Sequence, residues 1–304
     1  MKPACASLRR ARPLLGTFVE IAVGGALQSK MEDAVEAAFT VVGEVQRLMS
    51  FHDTNSDLAR LNREAAAHAV TVHPWTFEVL EAALDLQHRS DGIFDIAVAP
   101  VLQHFGWLPH HAEDRPVATI ARPRELGIEL LPDRCVRFSS PNIAIDLGGI
   151  AKGFAVDQAI NVLRGDGMPQ GLVNAGGDLA AFGPQAATVA IRDPRDPRRI
   201  LCQVEVECRA LASSGGQHDP SQRRVAVDSA VIDPRTLRPA RAALGATVCA
   251  PSCMIADALT KIVMITGEFA APMLADYGAS AMFVSRGGDL RITREWQSAV
   301  RLAA

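Results

Sequence analysis

Residues 143–163 constrain the fold more than any other stretch. Ile143, Ile145 and Leu147 alternate with Ala144 and Asp146, which is the period of an extended strand. Gly148 and Gly149 end that pattern. Ala155, Ala159, Ile160 and Leu163 then share one face of a helix predicted over 151–163. A strand that stops at glycines and runs into a helix presents bare backbone N–H groups and a positive dipole end, a natural seat for phosphate. Lys152, in the first turn, would add a full positive charge. An ordinary tight βα connection with a solvated lysine fits the same residues. Neither G-x-x-x-x-G-K-[ST] nor G-x-G-x-x-G occurs in the chain. A second glycine turn, Asn174-Ala175-Gly176-Gly177-Asp178, follows another short apolar strand, Gly171-Leu172-Val173.

The pattern elsewhere alternates irregularly between helix and strand. Val35, Ala38, Val41, Val42, Val45 and Leu48 recur at helical spacing, so a long amphipathic helix is predicted over 34–49. Ser56 is a good N-cap for a short helix through Leu61, and Pro74 to Arg89 reads as a further helix. The stretches 172–182, 187–191 and 201–206 read as strands, giving a mostly antiparallel second half. Between the last two, Arg192, Arg195, Arg198 and Arg199 are interleaved with Asp193, Pro194, Asp196 and Pro197, which reads first as a polar turn and second as a phosphate-binding cluster. The expected fold class is α+β: one domain over residues 1–304, with mixed, largely antiparallel sheets and flanking helices. A helical subdomain around residues 50–110 stays open.

Composition sets the outer limits. With 304 residues, 48% apolar, and a net charge of −3, the chain has ample core-forming sequence and no basic face for nucleic acid. It lacks an 18-residue apolar run, so no transmembrane helix is expected. Lys2, Arg9, Arg10 and Arg12 precede the first strand without an apolar signal region, and a cytoplasmic location is the expectation. Six cysteines (Cys5, Cys135, Cys202, Cys208, Cys249, Cys253) are scattered without a C-x-x-C pair and read as buried reduced thiols. His104, His110 and His111, with Glu113 and Asp114, form a polar loop that lacks metal-ligand spacing.

Asp146-Leu147-Gly148-Gly149-Ile150-Ala151-Lys152-Gly153, followed by Asn174-Ala175-Gly176-Gly177-Asp178, resembles the signature of the ApbE family, the FAD:protein FMN transferases. The likeness runs from residue 12 to residue 292. It implies an ApbE-like, T-fold-like architecture. The implied activity is transfer of FMN from FAD to a Thr or Ser hydroxyl of an acceptor flavoprotein, an electron-transfer subunit, with release of AMP. It also implies a set of FAD contacts. Leu15 stands where the family more often has methionine, and His52 where it usually has tyrosine. Gly92-Ile93-Phe94-Asp95 is similar to the G-x-F/M-D segment, so Ile93, Phe94 and Asp95 would hold the adenosine half. Capping of the following turn is a structural alternative for Asp95. Asp146, Lys152 and Val231 complete the implied set, and Leu211 to Gly215 resembles the family's A-[ST]-S-G turn.

The same likeness implies magnesium. Ala256-Asp257-Ala258-Leu259-Thr260-Lys261 is similar to the family's A-D-A-L-[AST]-T, whose Asp and hydroxyl groups would hold Mg²⁺ together with the carbonyl of Gly149. Asp257 and Thr260, three apart, can share a helix face. Without the family, an Asp and a Thr at a helix start read as a cap. Lys152, beside a magnesium held by Asp257 and Thr260, would supply the charge stabilisation of a phosphoryl-type transfer. Three departures stand out: Lys261 replaces a threonine, and in Ser229 to Leu237, similar to H-I-I-D-P-R-T-G, Ala230 replaces histidine and Leu237 replaces glycine. With Ala230 in the histidine position, Asp233 and His218 are the nearest candidates to accept the hydroxyl proton. Two other functions fit the sequence: an FAD pyrophosphatase in which water replaces the acceptor hydroxyl, and a non-catalytic flavin-binding protein.

Overall fold

Eight strands cross one sheet in chain order, each antiparallel to the next: Ser7–Leu14, Thr17–Gly24, Gln170–Ala175, Asp178–Phe182, Ala210–Gly215, Ala243–Ala250, Ser280–Ser285 and Leu290–Ile292. This computed structural model describes residues 7–110, 127–215 and 229–302. Cys5, His111, Glu113, Asp114 and His218 lie outside the described residues. The helices are α1 (Gln28–Met49), α2 (Asp57–Glu64), α3 (Pro74–Arg89), α4 (Ala99–His104), α5 (Ala151–Gly165), α6 (Cys253–Thr266) and α7 (Ala271–Asp276). The architecture is α+β.

Strand periodicity sorts the sheet's two faces. Ala210 and Ala212 join the core beneath the helices, where α1, α5 and α6 pack on one another and on the sheet. Leu211, between them, points the other way. It meets Leu179, Cys249, Met282 and Trp296, capped by a second sheet of Ala187–Asp193, Asp196–Val206 and Val300–Leu302 through Ile191, Cys202, Val204 and Val206. The arginine-rich turn joins the first two of those strands, with Arg195 paired to Asp193 at 2.7 Å. Leu58 and Leu61 of α2 and Leu80 and Leu86 of α3 share the core of α1 and α5. Asp57 ties α2 to α3 by accepting from the His73 N–H at 2.7 Å and the Thr76 hydroxyl at 3.0 Å.

Several local expectations need correcting. Among the described residues, 143–147 join no sheet. The side-chain amide of Asn62 stands in for a neighbouring strand: its Oδ1 accepts from Ile145 N–H at 2.8 Å, and its Nδ2 donates to the Ile145 carbonyl at 3.0 Å. Asp146 N–H then donates to Ile96 O at 2.8 Å. The apolar period was real, since Ile143, Ile145 and Leu147 are all buried. It reports burial on one side, which an extended segment needs whether or not a sheet continues it. The stretch 172–182 is a hairpin that reverses at Gly176 and Gly177, both at positive φ (67° and 106°). The Leu211–Gly215 stretch is strand rather than turn. Of the described cysteines, Cys202, Cys249 and Cys253 are buried, Cys135 is half-buried and Cys208 is exposed.

Helix α6 begins at Cys253 behind the N-cap Ser252, whose side chain accepts from Ile255 N–H. Asp257 and Thr260 therefore lie inside the helix, fully buried, and do not cap it. By length and composition the run Cys253–Asp276 resembles a membrane span, but here α6 packs between the sheet and α5. A second cap for α6 comes from across the core: Asp157 of α5 accepts from Cys253 N–H and Met254 N–H, each at 2.8 Å. These N–H groups would otherwise be orphaned at the helix start. Asp157→Ala is expected to lower unfolding stability by ~1–2 kcal/mol, read as the urea midpoint, with Asp157→Asn closer to wild type.

Candidate functional site

The glycine corner, α5 and α6 meet around one carboxylate. Gly153 has no side chain, and α6 lies so near it that an added Cβ would stand 2.2 Å from the Cys253 carbonyl oxygen. That approach brings Gly153 N–H within 3.2 Å of Asp257 Oδ2. Lys152, one residue earlier, pairs with Asp178 Oδ2 and reaches Asp257 Oδ2 at 3.5 Å. Lys261, one turn along α6, binds Asp257 Oδ1 and also donates to the Asp257 carbonyl at 3.0 Å. Two ammonium groups thus hold the two oxygens of one buried carboxylate. Asp178, at the second glycine turn, takes the Ser213 N–H on its other oxygen at 3.3 Å.

The charges follow from this geometry. Burial alone would raise the Asp257 carboxyl, but Lys152 and Lys261 outweigh it and hold it below the usual carboxylate range. Burial would likewise lower the Lys152 ammonium, yet Asp257 and Asp178 hold it above its ordinary value. Asp178 is pushed up, by burial first and then by the Asp257 charge. Asp146 is also pushed up, mainly by burial, against the opposing Gly148 N–H that its Oδ2 accepts at 3.1 Å.

Several of these groups border a cavity of about 550 Å³. Asp146, Gly148, Gly149, Lys152, Lys261, Ser213, Ser214 and Gly215 line it. Ile93, Phe94, Trp107, Leu108 and Val231 supply apolar walls. Charged groups beside apolar and aromatic walls suit a ligand that carries both a polyanionic link and flat rings.

The sequence-derived positions divide accordingly. Ile93, Phe94, Asp95, Asp146, Gly149, Lys152 and Val231 line the cavity, with Asp257 and Thr260 directly behind it. Asp95 also has the structural role: its carboxylate accepts from Ala97 N–H at 2.8 Å and Gln87 Nε2 at 2.6 Å. Leu15 does not line the cavity. It sits at the tip of the first hairpin at φ 56°, with its N–H on Gln46 Oε1. His52 is a surface residue outside the lining, near enough to act electrostatically on Asp146. Asp233 also lies outside it, held in a turn by Arg235 Nε and Nη2, each at 3.0 Å. Ala230 lines the cavity, and no histidine does so among the described residues. Sequence reasoning missed Asp178, Ser213, Ser214 and Trp107. The aspartate that closes Asn174–Asp178 was visible in the motif, but its pairing with Lys152 was not.

The expected magnesium ligands are brought together, and the result does not fit magnesium. Mg²⁺ requires near-octahedral oxygen donors. Here both Asp257 oxygens are engaged by ammonium and amide groups, and the Lys261 stem lies 3.4 Å from where a Gly149 Cβ would be. The Thr260 hydroxyl is spoken for as well, 2.7 Å from both the Asp257 carbonyl and the Ser214 hydroxyl. Among the described residues, no cluster of three or more His, Cys, Asp or Glu groups could hold a metal.

Comparisons with known proteins agree with the motifs. The family model described as "ApbE family" matches residues 15–284. A Vibrio cholerae FAD:protein FMN transferase is 30% identical over 236 residues, 74% of this chain and 71% of that protein. A Rhodobacter capsulatus protein of the same name is 28% identical over 276 residues; the match covers 86% of this chain but only 52% of that relative's length. Among solved structures, the ApbE protein of Thermotoga maritima superposes with a TM-score of 0.82 at 24% identity, covering 97% of this chain and 99% of that one. The flavin transferase ApbE of Vibrio cholerae gives 0.80 at 21%, covering 97% and 100%. These last two likenesses establish the fold. Motifs, fold and family match point the same way: this chain belongs to the ApbE family.

Proposed function

We propose that this chain is a transferase that moves the FMN moiety of FAD onto a Thr or Ser hydroxyl of an acceptor flavoprotein, releasing AMP. The observation that supports this reading is the pair of ammonium groups, Lys152 and Lys261, at the glycine corner of an apolar-walled cavity. The names of its relatives lend it the substrate. In the reaction the acceptor oxygen bonds to the FMN phosphorus and the bond to the bridging oxygen breaks. AMP leaves with that oxygen, and the hydroxyl proton passes to a base. Such a transfer asks the protein mainly for positioning and cation stabilisation of developing negative charge. Lys152 serves that need, with Gly148 and Gly149 allowing close approach of the phosphates. The magnesium dependence that the resemblance implies is left out of this reading, because the donor set does not suit it.

Proton removal falls to Asp146. It faces the cavity beside the glycine corner, whereas Asp233 is outside the lining and bound to Arg235. Asp146→Asn is expected to slow transfer by about 100-fold or more, a larger effect than its loss of FAD affinity. Single-turnover labelling of the acceptor checks this, and an unchanged rate removes Asp146 from the role.

A second reading is favoured by Ala230: among the described residues, none in the cavity lining carries an imidazole. That reading is FAD hydrolysis, or FAD binding without turnover. One assay separates the readings: incubate with FAD and an acceptor domain, then follow AMP and flavin fluorescence on a denaturing gel. Labelled acceptor supports transfer, AMP without label supports hydrolysis, and bound intact FAD supports a carrier.

A further inference from the structure

We propose that the Lys261 ammonium takes the place of a divalent cation at Asp257, so that this chain cradles the diphosphate of FAD with two lysines and no metal. The proposal deepens the transferase reading and rests on it. Lys261 fills the space at Asp257 that a cation would need. It sits against the buried Asp257 carboxylate, its stem runs beside Gly149 of the glycine corner, and it lines the same cavity as Gly148 and Lys152.

An ammonium has three N–H donors. Among the described residues, the partners of Lys261 are both on Asp257, its carboxylate and its carbonyl. The third donor is left for the cavity, to which 16% of the side chain remains open. Lys152 is built alike: its charge is spent partly on Asp178 and Asp257, and 33% of its side chain is exposed. The two aspartates balance the two lysines, so the ammoniums stay fixed before a ligand arrives. Fixed donors facing the position of an anion need no reorganisation to receive it. A divalent ion entering here would meet a carboxylate already neutralised and two cations beside it, which repel it.

The test uses this 304-residue chain, Lys261→Thr and Lys261→Met, each checked for folding by its melting curve. Mn²⁺ alone is titrated and followed by electron paramagnetic resonance. FAD affinity is measured by flavin fluorescence in EDTA and in Mg²⁺. The wild type should leave the Mn²⁺ signal free and bind FAD equally in both buffers. Lys261→Thr, which frees the carboxylate and supplies a hydroxyl, should take up a single Mn²⁺. Its FAD affinity in EDTA should fall about 10- to 100-fold, the loss of one charge-assisted hydrogen bond, and recover in Mg²⁺. Lys261→Met should show the same fall without recovery. Wild-type Mn²⁺ uptake, or wild-type FAD binding that needs Mg²⁺, overturns the replacement of metal by ammonium. Unchanged FAD affinity in Lys261→Met reduces Lys261 to a structural partner of Asp257 and overturns the diphosphate contact. A wild type that ignores FAD altogether sinks the transferase reading and the diphosphate contact together, and the Mn²⁺ titration alone then decides whether the ammonium excludes a metal.

Discussion

Gly153→Ala should cost this protein ~3 kcal/mol of stability or more, although alanine is the better helix former. The added methyl would stand 2.2 Å from the Cys253 carbonyl oxygen, 2.5 Å from its carbon and 2.7 Å from Met254 Cα. All three are backbone atoms, so no side chain can swing aside. The helices must separate, and the separation pulls on the Gly153 N–H bond to Asp257 and on both Asp157 caps. Gly43, inside α1, gives the opposite expectation. Its Cβ would meet nothing within 4 Å, so Gly43→Ala should stabilise by ~0.5–1 kcal/mol. Paired urea titrations of the two variants check both signs. Equal effects would mean that the α5–α6 crossing is looser than described.

Lys152→Met should abolish most of the transfer, by about 100- to 1,000-fold in rate, through loss of one fixed cation at the phosphates. It should also cost ~3–5 kcal/mol of stability, because Asp178 and Asp257 are left facing each other in the core with one cation fewer. The pH dependence distinguishes that cause from lost packing. Burial and the neighbouring Asp257 charge already raise the Asp178 carboxyl. Removing Lys152 raises it further. A folded-state carboxyl pKa above its unfolded value contributes stability that is present at low pH and lost as pH rises through the folded value. The gap between variant and wild type should therefore be widest near neutrality and narrow in mild acid. A gap that is constant with pH would assign the loss to packing. Activity is compared at a temperature where both proteins remain folded.

Much of this structure could be read along the chain. Periodicity located α3 and α5, and Ser56 capped α2 as expected, with its side chain accepting from Ala59 N–H at 3.0 Å. It found α1 too, but missed the helix's first six residues, because Gln28 to Asp33 carry little apolar pattern. The glycine corner, Lys152 and the Asp257 helix were recognisable as family motifs. Their convergence was implied only by that likeness.

What the chain determined alone is what neighbours in sequence decide: which faces are apolar, where a helix can start, and where only glycine turns. Tertiary structure decided the rest. Residues 143–147 could have joined a sheet, but their partner is Asn62, 83 residues away. Asp157 caps a helix 96 and 97 residues further on. Lys261 could have pointed to solvent or to Asp257, since a flexible four-carbon stem allows both. Burial of Asp257 made the choice, because a carboxylate removed from water must find its counter-charge nearby.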